Sequence, residues 1–321
     1  ATSLDELFPG EVALLIGSTK NKDLLYSKIA QGEVKILVGT HALFEEVVEF
    51  KDLALVIIDE QQRFGVGQRS RLHQKGEDAH LLMLSATPIP RTLSMILHQN
   101  LDISYLKTKP PGRQEIRTKI VSPRKLDEVY EHIKREISEG RKAFVVFPLI
   151  EDSEVLQATS LEEGVKELKK IFGKKLGVVH GKMTSDEKEE ALLAFKKGET
   201  SVLASTTVIE VGMDIPEATI LLLQSAQRFG LSQIHQIRGR IGRNPYPSTC
   251  YLSVDGEVPE RLHILEKYSD GFTIAEEDLR LRGPGELRGS AQSGSYDFIV
   301  ADLVRHREIL ERVNSLLTEE V

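Results

Sequence analysis

Short apolar runs recur along this chain, separated by longer segments rich in charge. They fall at residues 11–17, 34–39, 54–58, 81–84, 117–121, 143–147, 176–180, 202–205, 219–223 and 249–253. Within most runs the apolar residues are consecutive, not alternating. Such a run reads as a strand buried on both faces, the habit of parallel sheets. The run Leu55-Val56-Ile57-Ile58 is of this kind, and it leads straight into Asp59-Glu60. The intervening segments have the length and patterning of helices. They predict helices at 20–31, from the end of the 54–58 strand to 75, and at 90–98, 124–139, 160–172 and 185–197. Gly32 and Gly140 stand where helix-ending residues belong. Residues 1–10, with Pro9-Gly10, read as a helix end and a turn. Strand alternating with helix predicts a parallel α/β architecture.

The alternation is interrupted twice. Residues 107–113 set two prolines and a glycine between charges, a composition that continues neither helix nor strand. They predict a linker over 107–116, a hinge candidate, between a first domain at 1–106 and a second at 117–255. Composition alone fits a surface loop equally well. Beyond 256 the pattern becomes helical, with helices expected at 258–268, 274–281 and 298–316 and a glycine-rich loop over 282–289. This tail, 256–321, is too small for a core of its own and is expected to pack on the second domain.

The polar residues that follow the runs carry the candidate chemistry. In open α/β sheets ligands sit at the carboxyl ends of strands. There Asp59 is placed to hold Mg²⁺ and Glu60 to activate a water, the two tasks of nucleotide hydrolysis. A solvated strand end is the plain alternative. Gly39-Thr40-His41 offers backbone amides and a hydroxyl suited to a phosphate, or simply a strand-to-helix connection. Ser85 and Thr87, after the next run, are positioned to sense the acidic pair or to cap a helix near 90. In the second half, Thr206, Thr207, Gly212 and Asp214 follow a buried strand on a loop expected to face a cleft. The most specific stretch is Gln236-Ile237-Arg238-Gly239-Arg240-Ile241-Gly242-Arg243. Its three arginines are read as serving a polyphosphate and not a core, because the interleaved glycines weaken a plain solvated helix.

Composition narrows the picture only a little. The 321 residues are 40% hydrophobic and 28% charged, ordinary values for a globular protein of two domains. No apolar run approaches a membrane span and no secretory leader is evident. One cysteine, Cys250, excludes an internal disulfide and fits a reducing, cytoplasmic setting. A net charge of −7 argues against nucleic acid on bulk charge, so any basic footprint must be local.

Taken together, the motifs resemble superfamily 2 helicases. Asp59-Glu60-Gln61-Gln62 is similar to motif II (Walker B), Ser85-Ala86-Thr87 to motif III and Gly39-Thr40-His41 to motif Ib. Residues 206–216 resemble motif V, and Gln236 to Arg243 resembles motif VI. Within the superfamily the chain resembles DNA translocases of the RecG and Mfd group. Gln62-Arg63-Phe64-Gly65-Val66, the stretch 86–92 and Arg228-Phe229-Gly230-Leu231-Ser232-Gln233 carry that likeness. Asp59-Glu60-Gln61, residues 148–154 and Arg282-Gly283-Pro284-Gly285-Glu286 favour the RecG type over the Mfd type.

The resemblance implies two RecA-like parallel-sheet lobes, the first incomplete, and a small helical translocation-motif tail. It implies ATP and Mg²⁺ as cofactors, branched or duplex DNA as partner, no membrane, and a monomer. Asp59 would hold Mg²⁺ through water and Glu60 would polarise the attacking water. Gln62 would link motifs. Arg240 and Arg243 would reach the γ-phosphate, with Gly212, Asp214 and Gln236 lining the nucleotide. Gly39, Thr40, His41, Ser85, Thr87, Thr206 and Thr207 would meet the DNA backbone or couple it to the ATP site. Arg282, Arg288 and Gln292 would link closure to movement of the duplex.

The chain also departs from the family pattern. No G-x-x-x-x-G-K-[ST] loop occurs in it. The expectation is that this loop and the wedge domain of RecG lie upstream, and that the 321 residues alone bind ATP weakly. Gln62 stands where His is usual, and Asn244 where Gly is usual. A non-hydrolysing module that binds DNA or a protein, and a transcription-repair translocase of the Mfd type, are the alternatives.

Overall fold

The computed structural model describes residues 2–60, 75–76, 79–85, 102–106, 108, 113–148, 154–206, 215–282, 309 and 312, and excludes the side chains of residues 2, 3, 154–160 and 282. There are two compact units, one carrying the described residues up to Ser85, the other those from Asp102 to Arg282.

In the first unit, helix α1 (Thr2–Leu7) precedes strand β1 (Val12–Leu15), helix α2 (Lys22–Gln31), strand β2 (Ile36–Gly39) and a 3₁₀ turn at His41–Phe44. Strands β3 (Leu55–Ile58) and β4 (His80–Met83) follow. Helix α2 ends as expected: Gly32 is left-handed and its N–H donates to the Ile29 carbonyl. Both strand pairs are parallel, β1 with β2 and β3 with β4. Among the described residues they are two separate two-stranded pieces, not one continuous sheet.

The expectation that 54–58 is buried on both faces does not hold. Val56 and Ile58 are 5% and 3% exposed, whereas Leu55 and Ile57 are 51% and 57% exposed. The buried pair packs with Ala79, Leu43, Phe44, Leu53, Leu81 and Met83. A consecutive apolar run is buried twice only when elements cover both faces, and among the described residues none covers the face of Leu55, Ile57 and Leu82.

The second unit meets the sequence expectation closely. Its elements are β5 (Ile116–Val121), α3 (Leu126–Ser138), β6 (Lys142–Val146), α4 (Glu154–Phe172), β7 (Leu176–Val179), α5 (Ser185–Lys197) and β8 (Val202–Ser205). Then come β9 (Ala218–Leu223), α6 (Leu231–Arg238), β10 (Ser248–Ser253), α7 (Glu260–Lys267) and α8 (Gly271–Arg282). The six strands form one sheet in the order β5-β10-β9-β6-β8-β7, parallel throughout.

Every residue of β6, β8 and β9 is buried. Alternate side chains feed two cores. Phe144, Leu203, Leu221 and Leu223 pack with Phe195 of α5, Ile234 and Ile237 of α6, and Leu262, Leu265 and Ile274 of α7 and α8. Ala143, Val145, Ala204, Ile220 and Leu222 pack with Val129 and Ile133 of α3 and Leu161 and Leu168 of α4. Helices α7 and α8 therefore pack into the first of these two cores, as expected of a tail too small for a core of its own.

Local signals explain the boundaries. At the start of α5, the Thr184 hydroxyl accepts from the Glu187 amide while the Glu187 carboxylate accepts from Thr184 N–H, and left-handed Gly198 ends the helix. Helix α4 begins at Glu154, earlier than the expected 160. The helices expected before 75 and at 90–98 lie outside the described residues. So does the one at 298–316, apart from residues 309 and 312, which are helical.

Candidate active site

Asp59 and Glu60 leave β3 at its carboxyl end. Leu84 N–H donates to the Ile58 carbonyl at 2.8 Å, one step past the paired residues Ile58 and Met83. That register sets Ser85 beside the acidic pair at the same sheet edge. Asp59 is exposed and Glu60 half-buried. Asp59 Oδ1 accepts the Glu60 amide at 2.9 Å. Glu60 has φ 51°, a left-handed backbone that non-glycine residues rarely adopt. Such strain costs about 1–3 kcal/mol and gathers at functional sites. Here the Asp59 carboxylate helps to hold it.

At the end of β2, Gly39 lies opposite Leu15. A Cβ there would collide with the Leu15 carbonyl oxygen and the Leu43 side chain, so this turn needs glycine. Thr40 and His41 follow it, exposed, at the start of the 3₁₀ turn. The His41 and Phe44 rings lie 6.1 Å apart.

In the second unit the candidate residues separate onto two edges of one sheet. Thr206 follows β8 at the carboxyl edge. It is 6% exposed, and among the described residues its hydroxyl and that of Ser205 have no hydrogen-bond partner. Helix α6 then runs back, so the loop after Arg238 lies at the amino edge, where Gly242 N–H meets the carbonyl of Ala218, the first residue of β9. The structure therefore does not bring Thr206 together with Arg240 and Arg243. Gln236 and Arg240 are half-buried and Arg243 is exposed, its Nε donating to the Gly239 carbonyl at 3.3 Å.

Arg238 corrects the sequence reading. It is 3% exposed and serves the core. Its guanidinium donates to Thr118 Oγ1 at 3.0 Å and to the carbonyls of Leu265 (2.9 Å), Tyr268 (3.2 Å) and Ser269 (3.3 Å), and lies 3.0 Å from His235 Nδ1. Burial lowers its pKa. A planar fork of donors can satisfy several carbonyls at once, which allows an arginine to be buried where α6, β5 and α7 converge.

Asn244, the departure from glycine, also has a role. Its Nδ2 donates to the Pro216 carbonyl, and its Oδ1 accepts the Tyr246 amide at 2.8 Å, an Asx turn that pins the end of the arginine loop. Another contact that sequence reasoning missed is Arg113, whose Nη2 donates to the Gly239 carbonyl at 3.0 Å. A lone charge beside Pro-Pro-Gly gives no signal of a partner so distant in sequence. Gln62, Thr87, Thr207, Gly212, Asp214, Arg288 and Gln292 lie outside the described residues, as does the side chain of Arg282, the last residue of α8.

Comparison with known proteins agrees with this geometry. Residues 2–96 match the DEAD/DEAH box helicase family, 124–245 the helicase conserved C-terminal domain, and 268–321 the C-terminal part of domain 3 of the ATP-dependent DNA helicase RecG. The ATP-dependent DNA helicase RecG of Synechocystis sp. is 46% identical over 320 residues, which cover 96% of this chain and 38% of that protein. RecG of Bacillus subtilis is 44% identical over 316 residues, 96% of this chain and 46% of that protein. A solved structure of RecG bound to a three-way DNA junction superposes with TM-score 0.70 at 41% identity, over 97% of this chain and 41% of that one. S. cerevisiae Dbp5 bound to RNA and ADP BeF3, at TM-score 0.58 and 15% identity, shares the fold.

The parallel-sheet fold and its strand-end motifs define a superfamily 2 helicase core. The particular relatives are RecG helicases, to which the chain is similar along nearly its whole length. It spans less than half the length of these curated relatives. Among the described residues no helix is long and apolar enough to cross a membrane.

Proposed function

We propose that this chain is the motor portion of an ATP-dependent DNA translocase that remodels or unwinds branched DNA in recombination and replication-fork repair. The observation that carries the reading is the 41–46% identity to RecG helicases over 96–97% of this chain. The junction-bound relative makes branched DNA the substrate class to test.

The donor set fits Mg²⁺. Asp59 is an exposed hard-oxygen ligand at a strand end, and among the described residues no three His, Cys, Asp or Glu side chains gather into a cage. Mg²⁺ is typically held by one or two carboxylates, water and substrate phosphates. When bound, ATP and Mg²⁺ supply the phosphoanhydride and the charge neutralisation. In this reading Asp59 would hold Mg²⁺ through water and Glu60 would take the proton of the attacking water. Arg240 and Arg243 stabilise charge on the γ-phosphate. Ser85 relays the state of the acidic pair toward Thr40, His41 and the DNA backbone.

The test is DNA-stimulated ATP hydrolysis and three-way-junction unwinding by the full-length protein encoded with this chain. Glu60→Gln is expected to lower kcat by roughly 10²–10⁴ while junction binding persists. Turnover indifferent to Glu60→Gln would remove the assignment. Junction binding with no ATP hydrolysis by the wild type would favour a non-hydrolysing module.

A further inference from the structure

We propose that Arg113 is a positioning residue for the arginine loop, acting through the Gly239 carbonyl. This rests on the motor reading above. The Gly239 oxygen accepts from two guanidinium groups, Arg113 Nη2 at 3.0 Å and Arg243 Nε at 3.3 Å. The same residue's amide is already committed to the His235 carbonyl at 3.0 Å. One residue, Gly239, thus joins the end of α6, the following Arg240, the proposed finger Arg243 and the linker.

The grip is not a single hydrogen bond. Three residues after Arg113, Ile116 packs against the same loop. Gly242 has φ 70°, and a Cβ there would come within 2.9 Å of Ile116 Cγ1. The segment 113–116 therefore holds the loop at both ends, by a polar contact at Gly239 and a steric one at Gly242.

The chemistry follows from what happens when Arg243 turns to a phosphate. Its Nε must leave the Gly239 oxygen. A carbonyl oxygen has two lone pairs, and with Arg113 in place it keeps one donor throughout. Arg113 thereby lowers the cost of releasing Arg243 and fixes the peptide from which Arg240 projects. It also adds a third positive charge beside Arg240 and Arg243, which favours an incoming polyphosphate. Arg113 touches no reacting atom; it preorganises groups that do.

Two measurements test this. In the 321-residue chain, Arg113→Ala is expected to speed hydrogen exchange of the 239–243 amides roughly tenfold, with β9 and β10 unchanged. In the full-length protein, Arg113→Ala is expected to lower DNA-stimulated kcat about tenfold with little change in KM for ATP, and Arg113→Lys, which keeps one donor and the charge, is expected to recover most of it. Unchanged exchange in the loop overturns the contact itself. Faster exchange with wild-type turnover overturns the positioning role alone, as does a kcat loss accompanied by an equal fall in thermal stability that lysine does not rescue. Absence of ATPase in the wild-type protein defeats the motor reading and the positioning role with it, whatever the exchange shows.

Discussion

The strands of the two units are built from similar apolar runs but lie in different environments. In the second unit β6, β8 and β9 are buried along their whole length, with helices on both faces. In the first, β3 buries every other residue and leaves Leu55 and Ile57 open. The difference is not in the strands, since Leu55-Val56-Ile57-Ile58 is as apolar as Phe144-Val145-Val146. It lies in what covers them. The acidic pair thus projects from a strand with one described neighbour and one packed face, whereas the arginine loop springs from a unit with two closed cores.

The widest contrast is in core truncation. Phe144 is fully buried and meets Phe195 at 5.3 Å between ring centroids. Phe144→Ala is expected to cost about 3–5 kcal/mol in denaturant unfolding of the second unit. Ile57→Ala, on the open face, is expected to change stability by no more than about 1 kcal/mol. If Ile57→Ala proves as costly as Phe144→Ala, the open face is covered in solution and the contrast collapses.

Arg238 sharpens the same contrast within the arginine loop. Arg238→Ala leaves the buried carbonyl of Leu265 and the half-buried carbonyls of Tyr268 and Ser269 short of a donor, for an expected loss of roughly 2–3 kcal/mol. Lysine cannot reproduce the fork, so Arg238→Lys is expected to recover only part. Arg243→Ala, at an exposed site, is expected to change stability little. Equal stability losses at Arg238 and Arg243 would return Arg238 to the polyphosphate group where its sequence spacing put it.

That correction shows what was legible. The order of strands and helices in the second unit followed from consecutive apolar runs and glycine stops, because a closed parallel sheet imposes those patterns. The placement of Asp59, Glu60 and Ser85 at one edge followed from the same logic. Arg238 was misread because sequence spacing does not show which way a helix face points. Three arginines in six residues look alike until α6 packs one against β5 and α7. The β3 face was misread because burial belongs to the neighbours and not to the run. The Arg113 and Asn244 contacts are with backbone groups, which no sequence identifies.

The smallest expected effect comes from a polar network on the second unit. Glu136 of α3 accepts from Arg141 and from Thr219 Oγ1 at 2.6 Å, and His132 Nε2 lies 3.8 Å from it. Burial alone would raise the Glu136 pKa, but the hydrogen bonds from Arg141 and Thr219 outweigh it and hold the carboxyl below its ordinary value. A carboxylate depressed in the folded state stabilises above its unfolded pKa, and that stability is lost as pH falls through the folded value. Burial lowers His132, so its neutral form is favoured in the fold and protonation below the ordinary histidine range destabilises it too. Both groups have the same sign: acid weakens the second unit, first through His132 and then through Glu136. Thr219→Val deletes one donor to Glu136 and is expected to cost about 1 kcal/mol near pH 7, a deficit that shrinks as pH falls through the lowered pKa of the folded carboxyl and the carboxylate takes up its proton. Urea midpoints measured for wild type and variant across that range decide it. A deficit that stays constant with pH would mean that Thr219 contributes packing and not a charge-assisted hydrogen bond.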